Sequence, residues 1–119
     1  MRILYIGVHS HIEWGAEFWL VKAFRDIDVE YELMDFRKDL KNLNNHQLNE
    51  KIDAKSKTCD LIFLQRGNNL SPNIFNNIKI PIIFWSTEPI QLKNDVDQLL
   101  SSSIFSWVFV HSYSCMERV

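Results

Sequence analysis

A chain of 119 residues, 46% of them hydrophobic and 24% charged, can bury one sizeable core and needs neither disulfides nor a structural metal to hold it. Only three glycines and three prolines exclude a collagen-like or low-complexity chain, and a net charge of −2 with no basic stripe argues against a nucleic-acid or anionic-membrane surface. Two cysteines, Cys59 and Cys115, make no secreted-type disulfide framework, and no run approaches the roughly 20 apolar residues of a membrane span. The apolar start, Ile3 to Val8, gives way at once to polar and charged residues, unlike a signal peptide, so a cytoplasmic domain is expected.

Arg2 to Val8 reads as a continuous apolar strand, the pattern of a strand covered on both faces. A polar loop follows from His9 to Gly15. Ala16, Trp19, Leu20, Ala23 and Phe24 then recur at helical spacing and predict one apolar face of an α-helix. Over Val29 to Phe36, apolar Val29, Tyr31 and Leu33 alternate with Glu30 and Glu32, which predicts a strand at a sheet edge. Arg37 to Thr58 is polar, with a thin apolar set in Leu40, Leu43, Leu48 and Ile52, and predicts a surface helix around Asn45 to Lys55.

Asp60 to Gln65 is a second continuous apolar strand, and Arg66-Gly67-Asn68-Asn69 is turn chemistry. Ser71 and Pro72 mark a helix start, an N-cap hydroxyl followed by proline at the first helical position, with Ile74, Phe75 and Ile78 as its expected buried face. Pro81 to Trp85 predicts a third buried strand, Leu92, Val96, Leu99 and Leu100 another amphipathic helix, and Trp107 to Val110 the fifth strand. Trp85 and Trp107 are expected in the core, as is the thiol of Cys59.

Strands separated by helices imply parallel pairing through right-handed crossovers, hence a single Rossmann-like three-layer α/β sandwich with a five-stranded sheet. If the charged second strand is an edge and the apolar third is interior, the order is 2-1-3-4-5; the alternative, 3-2-1-4-5, leaves an apolar strand at the edge. Ligands of such sheets bind beyond the carboxyl ends of the strands, at the switch point. That selects the loops His9–Gly15, Arg66–Leu70, Ser86–Ile90 and His111–Ser114.

The first of these loops is neither a G-x-G-x-x-G turn nor a P-loop, which disfavours NAD or ATP binding by those motifs. The amides after Gly15 open a helix and can still hold a phosphate or a sugar hydroxyl. The candidate substrate contacts are His9, Ser10, Glu13, Trp14 and Gly15 from this loop, Arg66, Gly67 and Asn68 from the next, and Ser86, Thr87, His111 and Ser112 from the last two. His9 and His11 ligate a metal only where a third ligand converges, and without a second His or Cys cluster no metal is expected. Glu88, beyond a buried strand and fixed by Pro89, can accept hydrogen bonds from hydroxyls or act as a base, and His11 is the second candidate for that role. A receiver domain is excluded, because His9, Ser10 and Gln65 stand where it needs carboxylates.

Met1 to Gly7, followed by Gly15-Ala16-Glu17 at the start of a helix, resembles the N-terminal domain of GT-B glycosyltransferases. Asp60 to Gln65 resembles their apolar strand that follows an Asp. Pro81-Ile82-Ile83-Phe84-Trp85-Ser86-Thr87-Glu88-Pro89 is similar to the Trp-x-Thr-Asp/Glu-x-Pro region of the spore maturation protein-like (CgeB-like) members. Val108 to Tyr113, running on to Glu117-Arg118, resembles the strand, serine and helix that come later in such domains. The resemblance covers essentially the whole chain, with Trp14 where the first glycine of a pair often stands and with Ser86 and Glu88 where many relatives have His or Asp.

The resemblance implies an enzyme of two Rossmann-like halves. The first holds the acceptor, a glycan, protein or small molecule; the second holds most of the nucleotide-sugar donor. No cofactor of its own is then expected in this half, and alone it is expected not to transfer sugar. In the whole enzyme Glu88 or His11 would assist deprotonation of the acceptor hydroxyl. Tyr113 to Val119 reads as about two turns of helix with no cap or glycine stop, so the chain is expected to break off inside a crossover helix, before the donor half. The alternative reading is a non-catalytic, flavodoxin-like ligand-binding or interaction module, which needs no second domain.

Overall fold

The computed structural model describes residues 1–9, 15–86 and 97–109. Strand β1 (Arg2–Gly7) lies between β2 (Glu30–Asp35) on one side and β3 (Leu61–Gln65) on the other. β4 (Ile82–Trp85) and β5 (Trp107–Phe109) extend the sheet beyond β3, giving the order β2-β1-β3-β4-β5 with every pair parallel. The fold is an α/β domain with a Rossmann-like sheet, in the order expected from the charge of β2 and the unbroken apolar run of β3.

The β2 edge carries its charges in pairs. Glu32 takes Lys55 at 2.5 Å and Arg2 at 3.4 Å, while Glu30 stands out in solvent, so this edge offers no bare template for another strand. The strand stops at Asp35, one residue earlier than alternation suggests. Asp35 caps the short helix α2 (Phe36–Leu40) by accepting the Lys38 N–H at 3.1 Å, and Phe36 turns into the core as its first residue.

Side chains alternate across the sheet and divide the interior in two. Leu4, Ile6, Ile62, Leu64, Ile82 and Phe84 point to one face, where α2, α3 (Asn45–Ser56), a 3-10 helix (Pro72–Phe75) and α4 (Asp97–Leu100) cover them. Ile3, Tyr5, Leu61 and Phe63 point to the other, under α1 (Ala16–Asp26). Right-handed crossovers require this division, because only the β1-to-β2 connection runs leftward across the sheet. Helix α3 is started by a reciprocal capping box between Asn44 and Gln47, with hydrogen bonds of 2.8 and 3.0 Å, and it buries Leu48 and Ile52 one turn apart.

Four sequence expectations are corrected. Helix α1 does not bury Ala16, Trp19 and Ala23; its inward face is Glu17, Leu20, Val21 and Phe24, and Trp19 is 55% exposed. The helix has turned by about one residue to place a carboxylate inside. The element after Ser71 is a single 3-10 turn that ends at Phe75. Asn77 takes a left-handed φ of 65°, so Ile78 lies beyond the turn, half-buried against the core. Trp107 is not a core residue but 62% exposed on the outermost strand, and Trp85 is only half-buried beside Phe63. An edge strand has no further strand to shelter it. The fifth strand ends at Phe109 among the described residues, and Val110, Leu92 and Val96 lie outside them. Cys59 is buried with a free thiol, as expected.

Helix α1 closes with a left-handed residue, Asp28 at φ 58°. The Asp28 N–H reaches Arg25 O at 3.2 Å and the Val29 N–H reaches Phe24 O at 2.9 Å, the two bonds of a Schellman motif. Among the described residues no helix is long and apolar enough to cross a membrane.

Candidate functional site

In this strand order the switch point lies between β1 and β3, at their carboxyl ends. Glu17, in the first turn of the helix after β1, and Arg66, the first residue after β3, meet across it. The Glu17 carboxylate is 5% exposed and takes the guanidinium on both oxygens, Nε to Oε2 at 2.5 Å and Nη2 to Oε1 at 3.1 Å. A two-point Arg–carboxylate pair has the directionality that a single-point ammonium lacks. Burial opposes the charge on Glu17. The Arg66 guanidinium and the backbone N–H groups of Glu17 and Val8 outweigh it and hold the carboxyl below its ordinary range. The positive end of the α1 dipole acts in the same direction.

The backbone at Arg66 explains how a strand-end arginine turns back towards α1. Arg66 has φ 73°, and the Gly67 N–H bonds to the Gln65 carbonyl at 3.0 Å, so Arg66 is the centre of a γ-turn of the rare positive-φ kind. A non-glycine residue there costs about 1–3 kcal/mol, which surrounding contacts must offset. Two are visible: the Glu17 pair, and the Arg66 N–H donating to the Trp85 carbonyl at 3.1 Å, which carries the β3–β4 ladder one step further. Gly67 follows at φ 72°, and a Cβ on it would lie 2.7 Å from Leu99 Cδ1. Only glycine meets both demands.

Behind the ion pair is a polar corner on the α1 face. The buried Tyr5 hydroxyl donates to Gln65 Oε1, and both residues are fully buried. Burial, reinforced by the Glu17 carboxylate, pushes the Tyr5 phenol well above its ordinary value. His9 packs edge-on against the Tyr5 ring, 4.7 Å between centroids, with its Nε2 3.2 Å from the Tyr5 carbonyl. A carbonyl only accepts, so Nε2 carries the hydrogen and Nδ1 keeps its lone pair. Burial lowers the His9 pKa more than its neighbours raise it, so the ring is neutral at pH 7. The His9 backbone N–H is held by Asp35 at 3.1 Å, which ties the ends of β1 and β2 together. Gly7 makes room for all this: a Cβ there would stand 3.2 Å from the Tyr5 ring and 3.3 Å from the His9 ring.

Of the residues singled out in the sequence, His9, Gly15, Arg66, Gly67, Asn68 and Ser86 lie at this carboxyl edge. Gly15 is the N-cap of α1, with its carbonyl accepting from Phe18 at 3.1 Å. Gly67 meets Leu99 and Phe84 of the core, and Asn68 and Ser86 are buried. The Ser86 N–H bonds the Phe109 carbonyl at 2.9 Å, so β4 and β5 are clasped where that loop begins. Ser10, His11, Glu13, Trp14, Thr87, Glu88, His111 and Ser112 lie outside the described residues.

Sequence reasoning missed Tyr5, Glu17 and Gln65. For Glu17 a signal existed: positions 17, 20, 21 and 24 have the same helical spacing as the set chosen, with a carboxylate in their midst. For Tyr5 and Gln65 there was none, since each reads as a strand residue and their meeting spans 60 positions. Among the described residues no three His, Cys, Asp or Glu side chains gather as metal ligands. A cavity of about 310 Å³ lined by Asn45, His46, Asn49, Asn73 and Asn76 lies between α3 and the 3-10 helix, away from the switch point. Compared with protein-family models and with curated proteins, the chain matches none.

Proposed function

We propose that this domain is the acceptor-side half of a GT-B-type glycosyltransferase, which takes a sugar from a nucleotide-sugar donor onto a hydroxyl of its acceptor. The observation that supports it best is the Glu17–Arg66 pair at the switch point. Two anion-holding features of a Rossmann-like domain, an amide in the first turn of the first helix and a nearby arginine, are here engaged by the protein's own carboxylate. Such an edge suits an acceptor better than a nucleotide diphosphate, and the ordered resemblance of β1 with Gly15-Ala16-Glu17, of β3 and of the segment 81–89 points the same way. The donor then belongs to a second domain. His9, Gly15, Arg66, Asn68 and Ser86 frame the acceptor side. Glu88 and His11 are the residues proposed to take the acceptor proton, and Ser10, Glu13, Trp14, Thr87, His111 and Ser112 complete the loops.

The test is a transfer assay on full-length protein with a panel of radiolabelled nucleotide sugars. Glu88→Ala is expected to lower kcat by about 10²–10⁴-fold, the worth of a general base. Unchanged turnover removes Glu88 from the mechanism, and no transfer from any donor removes the reading.

A further inference from the structure

We propose that the cavity of about 310 Å³ between α3 and the 3-10 helix binds a neutral, hydroxyl-rich small molecule of the size of one sugar ring. This site is separate from the switch point and does not rest on the transferase reading.

Two elements supply the walls. On α3, Asn45 and Asn49 are one turn apart with His46 beside them, while Leu48 and Ile52 face the core. On the 3-10 helix, Asn73 and the capping residue Asn76 are also one turn apart. Asn49 ties the two walls together. Its Nδ2 donates to the Ile74 and Asn76 carbonyls, 2.9 Å each, so both amide hydrogens are spent and Oδ1 remains as an acceptor. The side-chain amides of Asn45, Asn73 and Asn76 make no hydrogen bond among the described residues. Each brings two N–H donors and one carbonyl acceptor to the same space.

Four amides and an imidazole around one cavity ask for a partner that both donates and accepts. Hydroxyl groups do both, and a molecule with several of them can meet both walls at once. The volume lies at the lower end of the roughly 300–1,000 Å³ of small-molecule sites, which favours a single ring over a longer chain. An anion is poorly served. Neither lysine nor arginine lines the cavity, the Gln47 amide of α3 is already held by Asn44, and Glu50 lies 2.5 Å from His46 Nε2. A divalent cation would meet one imidazole and no carboxylate among the lining residues, and an apolar ligand no apolar side chain.

The experiment is an NMR titration of the full 119-residue chain with glucose, N-acetylglucosamine, inorganic phosphate and the blocked amide N-acetylglycine methylamide. The sugars are expected to shift the side-chain amide signals of Asn45, Asn73 and Asn76 saturably, with a Kd on the order of millimolar for so small a ligand. Phosphate and the blocked amide are expected to leave them in place. Asn73→Ala and Asn76→Ala are each expected to weaken the sugar response about fivefold, the worth of roughly one hydrogen bond. Both side chains are exposed, so both variants are expected to fold, which their backbone amide spectra check. Saturable shifts from either sugar, weakened by either substitution, support the site. Equal or larger shifts from phosphate or the blocked amide overturn it. So does a response that never saturates, or silence with all four probes, which would mean that the cavity holds water alone. Full-strength sugar binding by both variants overturns it as well, because the sugar then sits elsewhere.

Discussion

Leu64 and Gln65 are neighbours on β3, and both are fully buried. Leu64 points into the larger core, with Leu4, Ile6, Ile62 and Phe84 beneath α3 and α4. Gln65 points to the opposite face and is held by a hydroxyl at the edge of an ion pair. The two faces of one sheet thus divide the work. One is dry and closely packed and holds the larger buried apolar cluster. The other begins as a small aromatic core of Ile3, Tyr5 and Phe24 and becomes polar at the carboxyl end, where ligands of such sheets bind. The strained turn at Arg66 and the buried charge of Glu17 both lie at this polar end.

The largest effect should come from the dry face. Phe84→Ala removes a fully buried ring that packs 5.1 Å from Phe105, and a loss of about 3–5 kcal/mol is expected in urea unfolding. A loss under about 1 kcal/mol would erase the distinction between the faces. On the polar face, Arg66→Ala strands the Glu17 carboxylate and is expected to cost about 2–4 kcal/mol, more than Glu17→Gln at about 1–2, because the amide remains neutral and hydrogen-bonded. Equal costs for the two variants would mean that the carboxylate is not desolvated.

The pH profile sharpens the same contrast. The folded state holds neutral His9 more firmly than the unfolded state does, so below about pH 6.5 the unfolded chain takes the proton first and stability falls. The depressed Glu17 adds stability that is present above the ordinary carboxylate range and lost as pH drops below about 4.3 towards its folded value. Thermal melts of His9→Asn should flatten the upper slope and those of Glu17→Gln the lower one; a His9→Asn profile that tracks the wild type would show that His9 titrates freely. The smallest effect is expected at Trp107, exposed on β5. Trp107→Ser should change stability by no more than about 0.5 kcal/mol, and a larger loss in the same melts would place that ring in a packed interface.

The sequence by itself determined the alternation of strands and helices and the strand order. These rest on local patterns: the Glu30 and Glu32 alternation at the edge, the unbroken run Leu61 to Leu64 inside, and Ser71 as a cap. It also placed His9, Arg66 and Ser86 at the carboxyl edge of the sheet, because the carboxyl ends follow from parallel order alone. What the tertiary structure decided was which way α1 faces, and with it the site. Apolar spacing fits two phases of that helix almost equally well. Glu17 is the inward choice because its partner, Arg66, lies 49 residues away on a turn whose positive φ no local pattern announces. Trp107 is the converse case, an aromatic that reads as core and is exposed because its strand happens to be the last in the sheet. Pairings this distant have no period in the sequence, and a buried charge is decided by its partner and not by its neighbours along the chain.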